Sequence, residues 1–243
     1  MKGGCKVKIC GITSVGDRNT VADLGADFFG VIFDVSFSPR SQTLDSAINL
    51  LTDPPIPGIV LVYDPDWKDL NRLLQGCRPY GIQFLSPAPQ ARLASLKKDF
   101  PELALWQSLH LPEAHGAHHE VQISARFGLA SLLAKINELR SQGIDLVVLD
   151  TVAVIAGRTR YGGTGRVSDW SLVRNLVTQA PLPIYLAGGI NPGNVREALS
   201  TVNPAGIDLC SGVESSIGYK DPLKVRDLLI QVRQWEEAEL HKA

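Results

Sequence analysis

Strand-like and helix-like segments alternate along this chain from end to end, and this alternation restricts the fold more than any other feature. Eight apolar segments of strand length are each followed by a helix-like segment, and no change in composition divides the series. The pattern predicts a parallel sheet with crossover helices, and eight strands are the number that closes such a sheet. The fold class is therefore α/β, and we predict a single-domain (β/α)8 TIM barrel over residues 1–243, with an irregular insertion around 110–128.

The boundaries of these segments follow from apolar runs and from the turn residues between them. The predicted strands are Val7–Cys10, Phe28–Phe33, Gly58–Tyr63, Tyr80–Leu85, Ala104–Leu109, Leu146–Asp150, Ile184–Ala187 and Gly206–Leu209. The predicted helices cover about residues 15–24, 44–51, 66–75, 89–98, 129–142, 169–178, a segment opening at 191, and 222–235. A long loop is expected after the sixth strand, at residues 151–165.

Charge and composition argue against several classes of function. With 24 Lys and Arg against 25 Asp and Glu, the net charge is −1 and no basic block is present, so we expect neither nucleic acid nor a membrane as a partner. No apolar run reaches the ~18 residues that span a bilayer. Lysines instead of an apolar core follow the first five residues, so no export signal is expected. Four scattered cysteines without a CxxC pair are typical of reduced thiols and predict a cytoplasmic protein.

Two residues that could exchange protons lie at the predicted C-terminal ends of strands. Cys10 ends the first strand and Asp150 ends the sixth, and in this fold those strand ends meet at one mouth. A thiolate abstracts a proton once its pKa is brought toward neutrality, and a carboxyl group can donate one. The two form a candidate acid–base pair, although a strand-end cysteine is more often inert and a lone aspartate can equally cap a helix. Lys8 points to the same side as Cys10 and would either lower the pKa of that thiol or be a polar interior residue.

Two glycine turns and one arginine are candidates for binding an anionic substrate. Gly188 and Gly189 follow the seventh predicted strand, and Ser211 and Gly212 follow the eighth. The loops at these two places commonly bind phosphate through backbone N–H groups, although the glycines could simply make tight turns. Arg40 lies in the loop after the second strand. An arginine binds a carboxylate through two parallel hydrogen bonds, but an ordinary solvated loop charge would look the same.

A histidine cluster lies in the predicted insertion. His115, His118 and His119 have a spacing that zinc could use, but no cysteine or carboxylate lies at the standard intervals from them. We therefore expect a surface loop and no metal site.

Several blocks of sequence together resemble one known family, phosphoribosylanthranilate isomerase. They keep the family's order, span nearly the whole chain and are highly specific as a set. The matching blocks are Lys6–Thr13, Ser38–Ser41, Tyr161–Gly165 with Asp169–Ser171, Leu186–Val195, Ile207–Glu214 and Gly218–Asp221. The resemblance implies a TIM barrel and a place in tryptophan biosynthesis.

The resemblance also implies a reaction. Phosphoribosylanthranilate, an aminoaldose, would undergo an Amadori rearrangement to the aminoketose 1-(o-carboxyphenylamino)-1-deoxyribulose 5-phosphate. Asp150 falls on the family's general acid, which protonates the furanose ring oxygen, and Cys10 falls on the general base, which removes the C2 proton. No metal or organic cofactor is implied, because the substrate nitrogen serves as the electron sink. The expected partner is a small phosphorylated sugar, and the expected assembly is a monomer or a homodimer.

The matched blocks also supply substrate-binding residues. Arg40 falls where the family holds the anthranilate carboxylate, and Gly189, Ser211 and Gly212 fall where it holds the phosphate. The full predicted set is Lys8, Arg40, Gly163, Gly188, Gly189, Asp208, Ser211 and Gly212.

The sequence departs from the family at the end of the fourth strand, where Leu85 replaces a customary histidine. The insertion around 110–128 and the segment 151–160 border the same side of the site. Two alternatives therefore stay open: a related enzyme acting on another sugar phosphate, and a non-catalytic barrel that binds one.

Overall fold

A computed structural model describes residues 4–112, 128–155, 158–161 and 170–241, and in it eight parallel strands close into a barrel. The strands in chain order are β1 (Lys6–Ile9), β2 (Phe28–Ile32), β3 (Gly58–Val62), β4 (Gly81–Phe84), β5 (Ala104–Pro112), β6 (Leu146–Ile155), β7 (Arg158–Tyr161), β8 (Ile184–Leu186), β9 (Gly206–Leu209), β10 (Glu214–Ser216) and β11 (Tyr219–Lys220). Each of β1 to β4 pairs in parallel with the strand that follows it in the chain. The ring continues with parallel pairs between β5 and β6, β6 and β8, and β8 and β9, and it closes where β9 pairs with β1. The predicted barrel is confirmed.

Helices connect the barrel strands as predicted. They are α1 (Val15–Asp23), α2 (Leu44–Leu51), α3 (Trp67–Cys77), α4 (Gln90–Asp99), α5 (Leu129–Ser141), α6 (Trp170–Gln179), α7 (Val195–Val202) and α8 (Pro222–Leu240). Side-chain caps fix several starts: Ser14 accepts from the N–H of Asp17, and the Asp221 carboxylate accepts from the first turn of α8, where Pro222 lacks an N–H to satisfy. Among the described residues, no helix is both long and apolar enough to cross a membrane.

Alternate side chains of each barrel strand enter two separate apolar clusters. Val147 and Leu149 of β6 pack outward against the helices, whereas Leu146 and Val148 pack inside the barrel. This is the period of two expected for strands. Burying one such side chain contributes about 1.5–3 kcal/mol, so turning a strand over would lose this contribution at several positions. The side chains at the mouth therefore keep their directions as well.

The segment after Asp150 differs from the prediction. The sequence predicted that β6 ends at Asp150 and that a loop follows, but β6 continues to Ile155 and pairs antiparallel with β7. The continuation is rich in β-branched residues, which favour a strand. β5 is likewise longer than predicted, because its last residues pair with β6 as far as Pro112. Most of the predicted insertion, with its three histidines, lies outside the described residues.

The start of α7 was also predicted wrongly. The helix begins at Val195 and not at the Asn191–Pro192 pair. Asn191 accepts a hydrogen bond from the N–H of Gly193, and Asn194 accepts one from the N–H of Asn191, so side chains hold these residues in a turn. Two small elements were not predicted: a 3-10 helix at Ser211–Val213 and the hairpin of β10 and β11.

Candidate active site

Cys10 and Asp150 both face the interior at the C-terminal end of the barrel. Cys10 packs in the interior cluster directly after β1 and is 5% exposed. Asp150 is two residues beyond Val148, an interior residue of the same strand, and is partly buried. Three steps separate β1 from β6 around the ring. At a strand spacing of ~4.8 Å this is roughly 14 Å along the wall, enough for a sugar to lie between them.

A buried ion pair lies below Cys10 in the barrel interior. The ammonium nitrogen of Lys8 is 2.7 Å from Asp208 Oδ2 and donates to Gln83 Oε1 at 2.8 Å, and Gln83 in turn donates to Ser108 Oγ at 3.0 Å. Burial acts to lower the pKa of Lys8, but the adjacent carboxylate of Asp208 more than offsets it, and the pKa is raised. Lys8 therefore stays charged. Both of its predicted roles have support: Lys8 is a polar interior residue beside Asp208, and its charge acts to lower the pKa of Cys10.

Arg40 lies at the rim and binds a carboxylate of the chain itself. Its Nε and Nη2 atoms are 2.7 and 2.6 Å from the two carboxylate oxygens of Glu214, and Lys220 Nζ is 2.9 Å from Glu214 Oε1. Burial would raise the pKa of Glu214, but its bonds to Arg40 and Lys220 lower it. The hydrogen bonds to Glu214 raise the pKa of Arg40. Two cations and one carboxylate leave this cluster with one unit of positive charge.

A second thiol lies against Cys10. Ile9 and Leu209 are register partners on β1 and β9, so Cys10 and Cys210 follow side by side, and their thiols are hydrogen bonded. This bond and burial both raise the pKa of Cys10 well above its ordinary value, although the charge of Lys8 acts to lower it. The same bond lowers the pKa of Cys210 to about 7, against its burial and with the help of Lys220 and Arg40.

The predicted glycine turns have tight backbone geometry. Gly188 and Gly189 have φ values of +82° and +69°, the left-handed region that glycine adopts without strain. The carbonyl oxygen of Gly189 accepts from the side-chain amides of Asn191 and Asn194, each at 3.0 Å. A Cβ at Gly212 would collide with the carbonyl oxygen of Ile190. The two turns are therefore in direct contact, and together they form one backbone surface at the mouth.

Four residues at the mouth were not predicted as functional. Cys210, Glu214 and Lys220 surround Arg40 and Cys10, and His110 is the register partner of Asp150 on β5, with its Nε2 3.1 Å from the carbonyl oxygen of Leu85. One signal was available for Cys210, because it lies two residues beyond the interior Asp208, directly after the predicted strand Gly206–Leu209. The predicted Gly163 lies outside the described residues.

These groups can carry out proton transfer on an anionic substrate. A thiol pair and a carboxyl group face one opening from different sectors, a net positive cluster lies at the rim, and glycine turns offer backbone N–H groups. A general base and a general acid must both reach one substrate, and this placement allows it.

Comparison with known proteins adds sequence evidence. A family model described as N-(5'-phosphoribosyl)anthranilate (PRA) isomerase matches residues 7–231. A protein from Methanosarcina acetivorans named N-(5'-phosphoribosyl)anthranilate isomerase is 35% identical over 232 residues, covering 94% of this chain and 93% of that protein. The solved structure of phosphoribosyl anthranilate isomerase from Thermococcus kodakaraensis is 27% identical, with a TM-score of 0.72 over 94% of this chain and 98% of that one. The corresponding Pyrococcus furiosus structure is 25% identical, with a TM-score of 0.73 over 95% and 99%.

Proposed function

The chain belongs to the N-(5'-phosphoribosyl)anthranilate isomerase family, and we propose that it carries out that isomerisation with Asp150 as general acid and Cys10 as general base. The chain is an isomerase of tryptophan biosynthesis. The observation that supports the proposed roles best is the position of the two side chains: both are interior, both lie at the C-terminal end of the barrel, and they approach from different sectors.

The proposed reaction has two proton transfers. Asp150 protonates the furanose ring oxygen, the bond from that oxygen to C1 breaks, and the anthranilate nitrogen forms a Schiff base with C1. Cys10 then removes the proton from C2, and the electrons of the C–H bond move toward the nitrogen to give an enolamine. The enolamine tautomerises to the aminoketose. The nitrogen accepts the electrons during the reaction, so the scheme needs no cofactor.

The rim cluster is proposed to hold the anthranilate carboxylate. Two nitrogens of Arg40 are bound by Glu214, so we place the carboxylate at the remaining nitrogen, Nη1. The unit of positive charge left by Arg40, Lys220 and Glu214 supports binding of a further anion here, because ion attraction is strong where water is largely excluded.

The phosphate is proposed to bind the backbone of the two glycine turns, and Gly212→Ala is the test. The new Cβ would meet the backbone oxygen of Ile190, so the turns must separate and their N–H groups move. A hydrogen bond to a charged group contributes about 1.5–3 kcal/mol, so we expect KM to rise by about tenfold or more with a smaller effect on kcat.

Steady-state kinetics measure this change, and Gly16→Ala is the matched control. A Cβ at Gly16 meets only Ser14 Oγ, at the ordinary contact distance of 3.8 Å, so its KM should equal that of the parent. An unchanged KM in Gly212→Ala would contradict the phosphate assignment.

The function itself is tested by adding the protein to phosphoribosylanthranilate and following the loss of anthranilate-type fluorescence. We expect continuous turnover without added metal or cofactor. Binding of the substrate without turnover would favour the non-catalytic barrel, and turnover only of another sugar phosphate would favour the related enzyme.

We further propose that the protein works as one barrel domain in the cytoplasm, as a monomer or homodimer, without nucleic acid or membrane as partners. The balanced charge and the scattered reduced cysteines support this proposal. Size-exclusion chromatography with light scattering tests the assembly.

A further inference from the structure

We propose that Cys210 is a positioning residue that exchanges the thiol proton of Cys10, so that the base is a pair of thiols sharing one proton. This inference rests on the proposed role of Cys10 as the base. Its geometric support is the side-by-side register of β1 and β9, which brings the two thiols into hydrogen-bond contact at the mouth.

Cys10 alone lies in a poor environment for an anion. Its thiol is 5% exposed and belongs to the interior apolar cluster, and a Cβ on Gly30 would be 3.0 Å from both its sulfur and Leu61 Cδ1. An anion in such surroundings loses its hydration. Lys8 hydrogen bonds Cys10 and its charge acts to lower the pKa of that thiol, but the ammonium also binds Asp208 and Gln83, and the bond to Cys210 and burial outweigh its effect. Cys10 is therefore a thiol at neutral pH unless a neighbouring group accepts its proton.

Cys210 has the opposite environment. Its sulfur is 3.9 Å from Lys220 Nζ, whose charge favours a thiolate, and 3.8 Å from Glu214 Oε1, whose charge opposes one. A Cβ on Gly11 would lie 2.7 Å from both this sulfur and Arg40 Cδ, so the arginine side chain passes directly beside the thiol. The charged and titratable groups that face the pair are Lys8, Asp208, Arg40, Glu214 and Lys220. The excess positive charge of the rim cluster favours a thiolate at Cys210, whose pKa is about 7.

The proton then moves between the two sulfurs. In the resting pair the S–H of Cys10 donates to the thiolate of Cys210. When the S–H bond of Cys10 breaks and that of Cys210 forms, the negative charge moves to Cys10, the proposed base. A substrate carboxylate at Arg40 assists this step, because its charge destabilises the nearer thiolate, Cys210. The thiolate of Cys10 takes the C2 proton, and no oxidation or reduction is involved.

The first experiment needs no substrate and therefore separates this inference from the proposed function. Thiolate absorbance at 240 nm is followed against pH in the parent, in Cys210→Ser and in Cys10→Ser. The parent and Cys10→Ser should each gain one thiolate with a midpoint near pH 7, and Cys210→Ser should lose this step. Burial raises the pKa of Cys5 and of Cys77 to about 12, so neither contributes below pH 10. Absence of the step in the parent would overturn the proposal.

The second experiment is the pH profile of kcat. In the parent the rate should rise with a midpoint near pH 7, as the shared thiolate forms. Even a thiol of ordinary pKa is only a few per cent ionised at pH 7, and burial raises the pKa of Cys10 above that value, so Cys210→Ser should be at least ~10-fold slower at pH 7 and its profile should lack the rise with a midpoint near pH 7. Cys77→Ser, a thiol on the outer helix α3, is the control and should keep the parental profile.

A merely structural role of Cys210 gives a different result. It would lower the rate of Cys210→Ser by the same factor at every pH, and that outcome, like an unchanged profile, would overturn the proposal. Urea unfolding of both cysteine variants shows whether the barrel is intact, and the absorbance step of the parent decides the question if Cys210→Ser does not fold.

Discussion

Asp150→Asn and Cys10→Ser are each expected to lower kcat by at least about 10²-fold, because a positioned general acid or base typically contributes that much or more. Asn has the shape of Asp but cannot donate a proton to the ring oxygen, and the hydroxyl of Ser is too weak an acid to supply a base. Both replacements keep side-chain volume, so the interior packing around Val148 and Leu61 should survive. Stopped-flow or steady-state fluorescence of phosphoribosylanthranilate measures the loss.

Controls for this prediction use the same replacements at sites away from the mouth. Asp99→Asn changes an exposed carboxylate at the end of α4, and Cys77→Ser changes a thiol on α3. Both should retain parental kcat. A near-normal rate in Cys10→Ser would show that another group takes the C2 proton. A near-normal rate in Asp150→Asn would show that Asp150 is not the general acid.

Lys8→Met is expected to destabilise the barrel by about 3–5 kcal/mol, the usual cost of removing one partner of a buried ion pair. Lys8 is fully buried and Asp208 is 8% exposed, so the carboxylate would lose its cation where water cannot replace it. The amide of Gln83 would lose the ammonium that now donates to its oxygen. Equilibrium unfolding in urea measures the change.

A comparison within the same strand makes this test specific. Lys6 pairs with Asp27, but its side chain is 53% exposed, so Lys6→Met should change stability by less than about 1 kcal/mol. The double replacement Lys8→Met with Asp208→Leu should recover much of the loss, because an apolar pair has no uncompensated charge. If Lys8→Met were as stable as Lys6→Met, the buried pair would not be a main element of the core.

The sequence predicted the closed barrel, and with it the pairing of the last strand with the first, but not which side chains meet at the mouth. Period-two patterning places Cys10 and Lys8 inside β1, and Asp150 inside β6. The same patterning says nothing about contacts across the barrel, because these depend on ring closure. Arg40 and Glu214 are 174 positions apart in the chain, and Cys210 reaches Cys10 only because the last barrel strand pairs with the first.

Turn and hairpin chemistry explains the remaining errors. The Asn191–Pro192 pair has the composition of a helix start, yet the side chains of Asn191 and Asn194 bind local backbone groups and delay the helix to Val195. Such side-chain bonds compete with helix formation. Asp150 was predicted to end a strand because it interrupts an apolar run, whereas pairing with β5 and β7 carries the strand past it.

The pairing of β1 with β9 has a consequence for synthesis of the chain. Lys6 pairs with Gly206, and a ribosome adding roughly 5–20 residues per second needs tens of seconds to make that partner. Throughout this interval one edge of the nascent first strand has no neighbour, and such edges invite pairing with other chains. Lys6 and Lys8 alternate along it with apolar residues, and lysines on an edge oppose aggregation. The ammonium of Lys8, which forms the buried ion pair in the folded barrel, thus also opposes aggregation of the first strand before the barrel closes.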